Sequence, residues 1–233
     1  MPRTAPKYWF LPLVLTLTAA CGAPAAEQAE GPYDFGRPSR DGIGKVYRGR
    51  EISHVMGHLG AGWLERPERE REERTDLLIR RLSVESDDTI ADIGAGTGYF
   101  TFPLARRVPE GRVLAVDIQA EMLAIIDERA AARGVANVET IRGSVTDPAL
   151  PAGAVDLILI VDAYHEFSHP LEMGRALAEA LRPGGRLVLV EYRAEDPGVP
   201  IKRLHKMSEA QARREMDALG LSWVRTDDYL PQQ

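Results

Sequence analysis

Cysteine is nearly absent from this 233-residue chain: Cys21 stands alone, so no intramolecular disulfide can staple the fold, whatever its compartment. A basic excess is also missing. The 29 Lys and Arg face 35 Asp and Glu, a net charge of −6 that becomes −8 without residues 1–20, where Arg3 and Lys7 are the only charges. An acidic body with scattered cations argues against nucleic acid as a partner. No apolar run reaches the roughly 20 residues of a membrane-spanning helix; the longest, "YWFLPLVLTLTAA", stops at residue 20. No repeat of solenoid length occurs. What remains, 44% hydrophobic and 27% charged residues over this length, is the composition of one globular domain with short extras, not of a disordered or fibrous chain.

The extras lie at the N-terminus. Two basic residues followed by the short apolar run read as a signal peptide over residues 1–20. The stretch "LTAACG" resembles a bacterial lipobox, with Thr18 in the place usual for leucine; the resemblance implies lipidation of Cys21 and membrane contact through it. An ordinary cleaved signal and an uncleaved anchor are the alternatives. The expected location is the bacterial cell envelope, lipid-anchored or periplasmic. Residues 21–40, rich in Gly, Pro and Ala, read as a flexible tether. Residues 41–82 read as a helical accessory or lid segment with two helices, "REISHVMGHLGAGWL" and a charged one beginning at Pro67.

From residue 83 to 233 short apolar runs alternate with amphipathic stretches, the pattern of a doubly wound, mostly parallel α/β sheet. "TIADIG", "RVLAVD", "VETIRG", "VDLILIVDA" and "RLVLVEY" are the first five strands, and "LSWVRTDDYL" reads as a sixth. The fourth is apolar without alternation, as a strand covered on both faces should be. Gly134 is placed to cap the second helix, Ser208 to start the last one and Gly220 to stop it.

Behind the first strand stands "ADIGAGTGYF", with Gly94, Gly96 and Gly98 at every second position. A bare turn entering a helix lets a ligand approach the backbone and offers free N–H groups. Alone, that motif is weak. Its spacing lacks the final interval of the dinucleotide fingerprint G-x-G-x-x-G, whose third glycine would fall on Tyr99, and this counts against a nicotinamide-dependent oxidoreductase. At the end of the second strand Asp117 could accept hydrogen bonds from both ribose hydroxyls of an adenosine, although an acid there would suit NAD equally well.

Together "ADIGAGTGYF", "AVDIQAEML", "VDLILIVDAYHEF" and "LRPGGRLVLVEY" resemble the successive motifs of class I S-adenosylmethionine-dependent methyltransferases, over about residues 75–230. The resemblance implies a single Rossmann-like domain with S-adenosylmethionine as cofactor. It places Asp92, Gly94, Ala95, Gly96 and Gly98 along the methionine half, Asp117 on the ribose and Ile118 beside the adenine. Ser144 stands where many members have an acid for the adenine amino group; Val145 adjoins it, and Asp147 is an alternative. Asp162, Ala163 and Tyr164 would face the methyl group. The family's sheet has seven strands, and only Pro231, Gln232 and Gln233 follow "DDYL", so the domain is expected to lack its last strand.

Methyl transfer from a sulfonium depends on alignment and on exclusion of water, and a base is needed only where the acceptor loses a proton. His165 is the first candidate, with Asp162 and Tyr164 beside it and Glu166, Glu191 and Tyr192 nearby. No metal site is assigned: His54 and His58 could share a helix face, but no third ligand accompanies them, and they read as parts of a lid. Trp63, Glu65 and Arg66 could touch substrate if that lid closes. The leading expectation is methyl transfer to a small-molecule or envelope acceptor, with a small-molecule substrate and no assigned oligomeric state. The alternative is an inactive, envelope-tethered module of the same fold that binds a nucleoside or metabolite.

Overall fold

The computed structural model describes residues 31–233, and the first of these overturn the expected helices. The expected signal peptide, Cys21 and the first part of the tether lie outside the described residues. β1 (Tyr33–Phe35), β2 (Gly42–Tyr47) and β3 (Arg50–Ser53) form an antiparallel sheet, so neither the tether to residue 40 nor a helix from Arg50 stands. β2 and β3 are joined by Arg48 and Gly49, both with positive φ (48° and 88°), the two-residue turn whose twist matches a hairpin. The hairpin buries Tyr47 and Ile52. Three glycines at 57, 60 and 62 weaken the rest of the expected helix. Only a 3₁₀ turn (His58–Gly60) and α1 (Ala61–Leu64) form there. The charged helix is two helices, α2 (Arg69–Glu73) and α3 (Thr75–Arg81), broken where Arg74 adopts φ 53°.

Thereafter strands and helices alternate: β4 (Thr89–Ile93), α4 (Thr101–Arg107), β5 (Arg112–Asp117), α5 (Ala120–Arg133), β6 (Val138–Arg142), β7 (Val155–Val161), α6 (Pro170–Ala180), β8 (Leu181–Val190) and α7 (Glu209–Asp217). The five strands pair in parallel in the order β6-β5-β4-β7-β8, the doubly wound arrangement expected from the sequence. Side chains alternate across the sheet. Ile90, Val113, Leu157 and Leu159 face α3 and α4, while Ala91, Ile93, Ile158 and Ile160 face α6. Both faces are covered, which is why β7 reads as an apolar run without alternation from Leu157 to Val161. Gly134 (φ 64°) ends α5, and the Ser208 hydroxyl accepts the Gln211 N–H at 3.1 Å to start α7.

Residues 221–230 do not form the expected sixth strand. Trp223 and Val224 are 50% and 79% exposed, and no ladder partner reaches them. The chain turns back only at its end, where Leu230 enters the core and the Arg193 N–H donates to the Gln232 carbonyl at 3.0 Å. No helix among the described residues is long and apolar enough to cross a membrane.

Candidate cofactor and acceptor site

The C-terminal ends of β4, β5 and β7 open into one cavity of about 640 Å³, at the point where the strand order reverses. The turn after β4 bends toward β5, because the Gly94 and Ala95 N–H groups both donate to the Val116 carbonyl, at 2.9 and 3.0 Å. Gly94 and Gly96 take φ of 71° and 55°, in the region L side chains avoid. A Cβ on Gly94 would lie 2.9 Å from that of Ala163, and one on Gly96 would lie 2.7 Å from Leu64 Cδ1. The bareness is a steric requirement. Asp117 ends β5 with Oδ2 accepting the Gly96 N–H and Oδ1 the Gln119 N–H, both at 2.9 Å. Each oxygen keeps a second lone pair for a ligand hydroxyl. Burial pushes this carboxyl's pKa up, against the pull of those backbone donors.

Not every residue expected at the cofactor reaches the cavity. Gly94, Gly96, Asp117, Ile118, Ser144, Val145 and Asp162 line it. Asp92, Ala95 and Gly98 stand one layer back. Asp92 Oδ2 accepts the Thr101 hydroxyl at 2.6 Å, tying β4 to the start of α4, and burial pushes its pKa to about 6. Ala95 packs with Phe102 and Ile126, and a Cβ on Gly98 would strike Phe102 at 2.8 Å, so that glycine admits a helix and not a ligand. Ser144 Oγ accepts the Asp147 N–H at 3.0 Å, and Asp147 Oδ1 accepts the Ala149 N–H at 2.8 Å; both form a local turn. Tyr164 is corrected more sharply. Its ring is fully buried beside Phe167, under the Arg50 guanidinium, away from the cavity.

The wall beyond the glycine turn is polar and buried. Asp162 closes β7 with φ 49°; its Oδ2 accepts from Gln233 Nε2 at 3.1 Å and its Oδ1 has no partner. Burial, then Glu191 and Glu73, push its pKa well up. His165 Nδ1 lies 2.6 Å from Glu191 Oε2, and its Nε2 lies 3.1 Å from His205 Nδ1. Glu166 Oε2 accepts the Met56 N–H at 3.1 Å. Across the mouth runs the segment between β3 and α1: Gln119 accepts the His58 N–H at 2.7 Å and donates to the Met56 carbonyl at 3.0 Å. His54 therefore lies on the irregular strap and His58 opens the 3₁₀ turn after it, so the two do not share a helix face. Trp63 borders the cavity, while Glu65 pairs with Arg129 at 2.6 Å and Arg66 with Glu73.

Residues 90–185 match the family model described as methyltransferase domain. The solved structure of a SAM-dependent methyltransferase from Aquifex aeolicus superposes with a TM-score of 0.69, covering 73% of this chain and 92% of that one at 23% identity. Over residues 90–185 the chain is thus similar to a methyltransferase domain, and its fold is that of the Aquifex structure. By sequence it is 32% identical over 118 residues to a ubiquinone/menaquinone biosynthesis C-methyltransferase of Pseudomonas putida, covering 50% of this chain and 46% of that protein. It is 36% identical over 115 residues to a nocamycin O-methyltransferase of Saccharothrix syringae, covering 49% and 40%. The chain spans about half the length of the curated relatives it matches. The cavity has the features that S-adenosylmethionine would need: the glycine turn leaves room for its approach to the backbone, Asp117 offers two free acceptors to a ribose, and Asp162 Oδ1 is buried without a partner.

Sequence reasoning missed several residues of this cavity. Arg69, only 4% exposed, reaches the cavity from α2 and bonds Glu73 Oε2 and the Leu64 carbonyl, each at 3.0 Å. Glu73 also accepts the Tyr192 hydroxyl at 2.7 Å. An Arg and a Glu four apart looked like a solvated charge run. Gln119 stands within "AVDIQAEML" with no role assigned to it, His205 lies outside every motif, and only the fold brings them in.

Proposed function

We propose that this protein transfers the methyl group of S-adenosylmethionine to an apolar, hydroxyl-bearing small molecule held in the same cavity. One observation carries the reading: the glycine turn with Asp117 and the polar wall of Asp162, His165 and Glu166 open into a single space, of a volume ordinary for a small-molecule site. The apolar part of the lining (Met56, Leu64, Val145, Phe167, Met173, Ile201) supports an apolar acceptor. So do the names of the two relatives, one a C-methyltransferase of quinone biosynthesis and the other an O-methyltransferase of nocamycin.

The bound cofactor supplies a methyl group on a sulfonium, which departs as a neutral thioether when the acceptor's electron pair takes the methyl carbon. The protein's part is orientation and exclusion of water. Gly94 and Gly96 admit the cofactor's methionine portion, Arg69 receives its carboxylate, and Asp117 holds the ribose. The strap through Met56 and Leu64 covers the cavity, and an acceptor hydroxyl meets the polar wall. The test is calorimetric titration of the full chain with S-adenosylmethionine, followed by a labelled-methyl assay against phenols and quinols. Binding lost in Asp117→Ala and label transferred to an acceptor support the proposal; no cofactor binding by the native chain refutes it.

A further inference from the structure

The polar wall gathers more ligating chemistry than proton transfer needs. His165 and Glu166 come from the 3₁₀ turn Tyr164–Glu166 after β7, and His205 ends the 3₁₀ turn Arg203–His205 after β8. His165 Nε2 is 3.1 Å from His205 Nδ1 and 3.8 Å from Glu166 Oε1, and the last two atoms are 3.7 Å apart. From this we propose that His165, Glu166 and His205 bind a divalent first-row transition-metal ion of the zinc type at the acceptor end of the cavity.

The dimensions suit such an ion. The three separations make a nearly equilateral triangle whose centre lies about 2.1 Å from each corner, the length of a zinc bond to imidazole nitrogen or carboxylate oxygen, about 2.0–2.2 Å. Two imidazoles and a carboxylate are a donor set that zinc, iron(II) and nickel accept. Each donor but one is also held from behind. Glu191 Oε2 takes His165 Nδ1–H at 2.6 Å while its Oε1 accepts the His165 backbone N–H at 3.1 Å; this fixes the tautomer that leaves Nε2 as the ligand. Glu166 is aimed by the Met56 N–H on its other oxygen. Charge points the same way: Glu166 and Glu191 bring two carboxyl groups into one little-exposed pocket wall, and a dication offsets them where neutral imidazoles do not. All three donors line the cavity, so the remaining coordination position opens into it, the arrangement of a catalytic and not a structural site. There an acceptor hydroxyl would bind and lose its proton more readily. That use rests on the methyl-transfer reading; the binding of the ion does not.

The competing arrangement has no ion, with a proton shared between His165 Nε2 and His205 Nδ1. Equilibrium dialysis of the chelator-treated full chain against Zn²⁺ decides between them. We expect one tight equivalent, visible ligand-field bands when Co²⁺ replaces it, and affinity at least 100-fold lower in His205→Ala. Because that side chain is 25% exposed, its loss should leave the circular dichroism and cooperative unfolding intact. Glu191→Gln should weaken the ion 10- to 100-fold. Absence of a tight equivalent, or equal affinity in His205→Ala, overturns the proposal. Zn²⁺ bound without any S-adenosylmethionine binding would leave the metal site standing and remove the methyltransferase reading.

Discussion

Asp92 and Asp117 lie on neighbouring strands, both buried, yet one serves the fold and the other faces the ligand space. Asp117 has two free lone pairs toward the cavity. Each hydrogen bond donated to a carboxylate is worth about 1.5–3 kcal/mol, so Asp117→Ala should weaken S-adenosylmethionine binding by about 100-fold or more, read by calorimetry. Asp92 gives no such loss but a pH signature. Its folded pKa of about 6 lies above the ordinary carboxylate value of 3.8, because burial outweighs the Thr101 hydroxyl bond. Between those values the folded state keeps a proton that the unfolded chain has released. Its stabilising share is therefore complete below about pH 4 and lost as the pH rises through about 6, by about 3 kcal/mol at most. Urea denaturation of the ligand-free protein at several pH values should show this fall in the native chain relative to Asp92→Asn. Parallel profiles for the two proteins would mean that the fold leaves the Asp92 carboxyl at its ordinary value.

At the scale of the element, the strap between β3 and α1 is held to the domain by side chains reaching from the residue that caps α5 and from the turn after β7. Gln119 grips it twice and Glu166 once, by hydrogen bonds of 2.7 to 3.1 Å. Gln119→Ala should free the His58 amide, raising hydrogen exchange over residues 54–60 while β4 and β7 stay protected; unchanged exchange there would mean that packing alone holds the strap. The same region marks the limit of sequence reasoning. The five sheet strands could be read because both faces of the sheet are covered, and a run such as "VDLILIV" has no other use. β1 was read as tether, and β2 and β3 as parts of a helical segment, because the stretch mixes glycines with charges; the available signal was the Arg48-Gly49 pair between two short runs. Asp117 and the glycine turn were readable since a ligand at a strand end dictates them. His205 was not, for its partners His165 and Glu166 are about forty positions away and only the crossover from β7 to β8 brings them together.

At the scale of the whole molecule, the proposed cofactor site and the proposed export of the chain through its N-terminus make separable predictions. All residues assigned to cofactor and acceptor lie within 31–233, which form one unit by their internal contacts. The envelope location is proposed from residues 1–21 alone. In a Gram-negative host expressing the full chain, we expect the protein in the membrane fraction, and Cys21→Ser should move it to the soluble fraction without altering its affinity for S-adenosylmethionine. A membrane-bound Cys21→Ser protein would instead make the apolar run over residues 8–20 an uncleaved anchor, and a soluble native chain would remove the envelope proposal. The distinction bears on chemistry, since S-adenosylmethionine is made in the cytosol. A chain found in the envelope must meet its cofactor before export or hold it through export, so protein isolated from that fraction should carry bound S-adenosylmethionine or its demethylated product. An empty site in protein so isolated, which then binds cofactor normally in vitro, would place turnover on the cytosolic side and make anchoring incidental to methyl transfer.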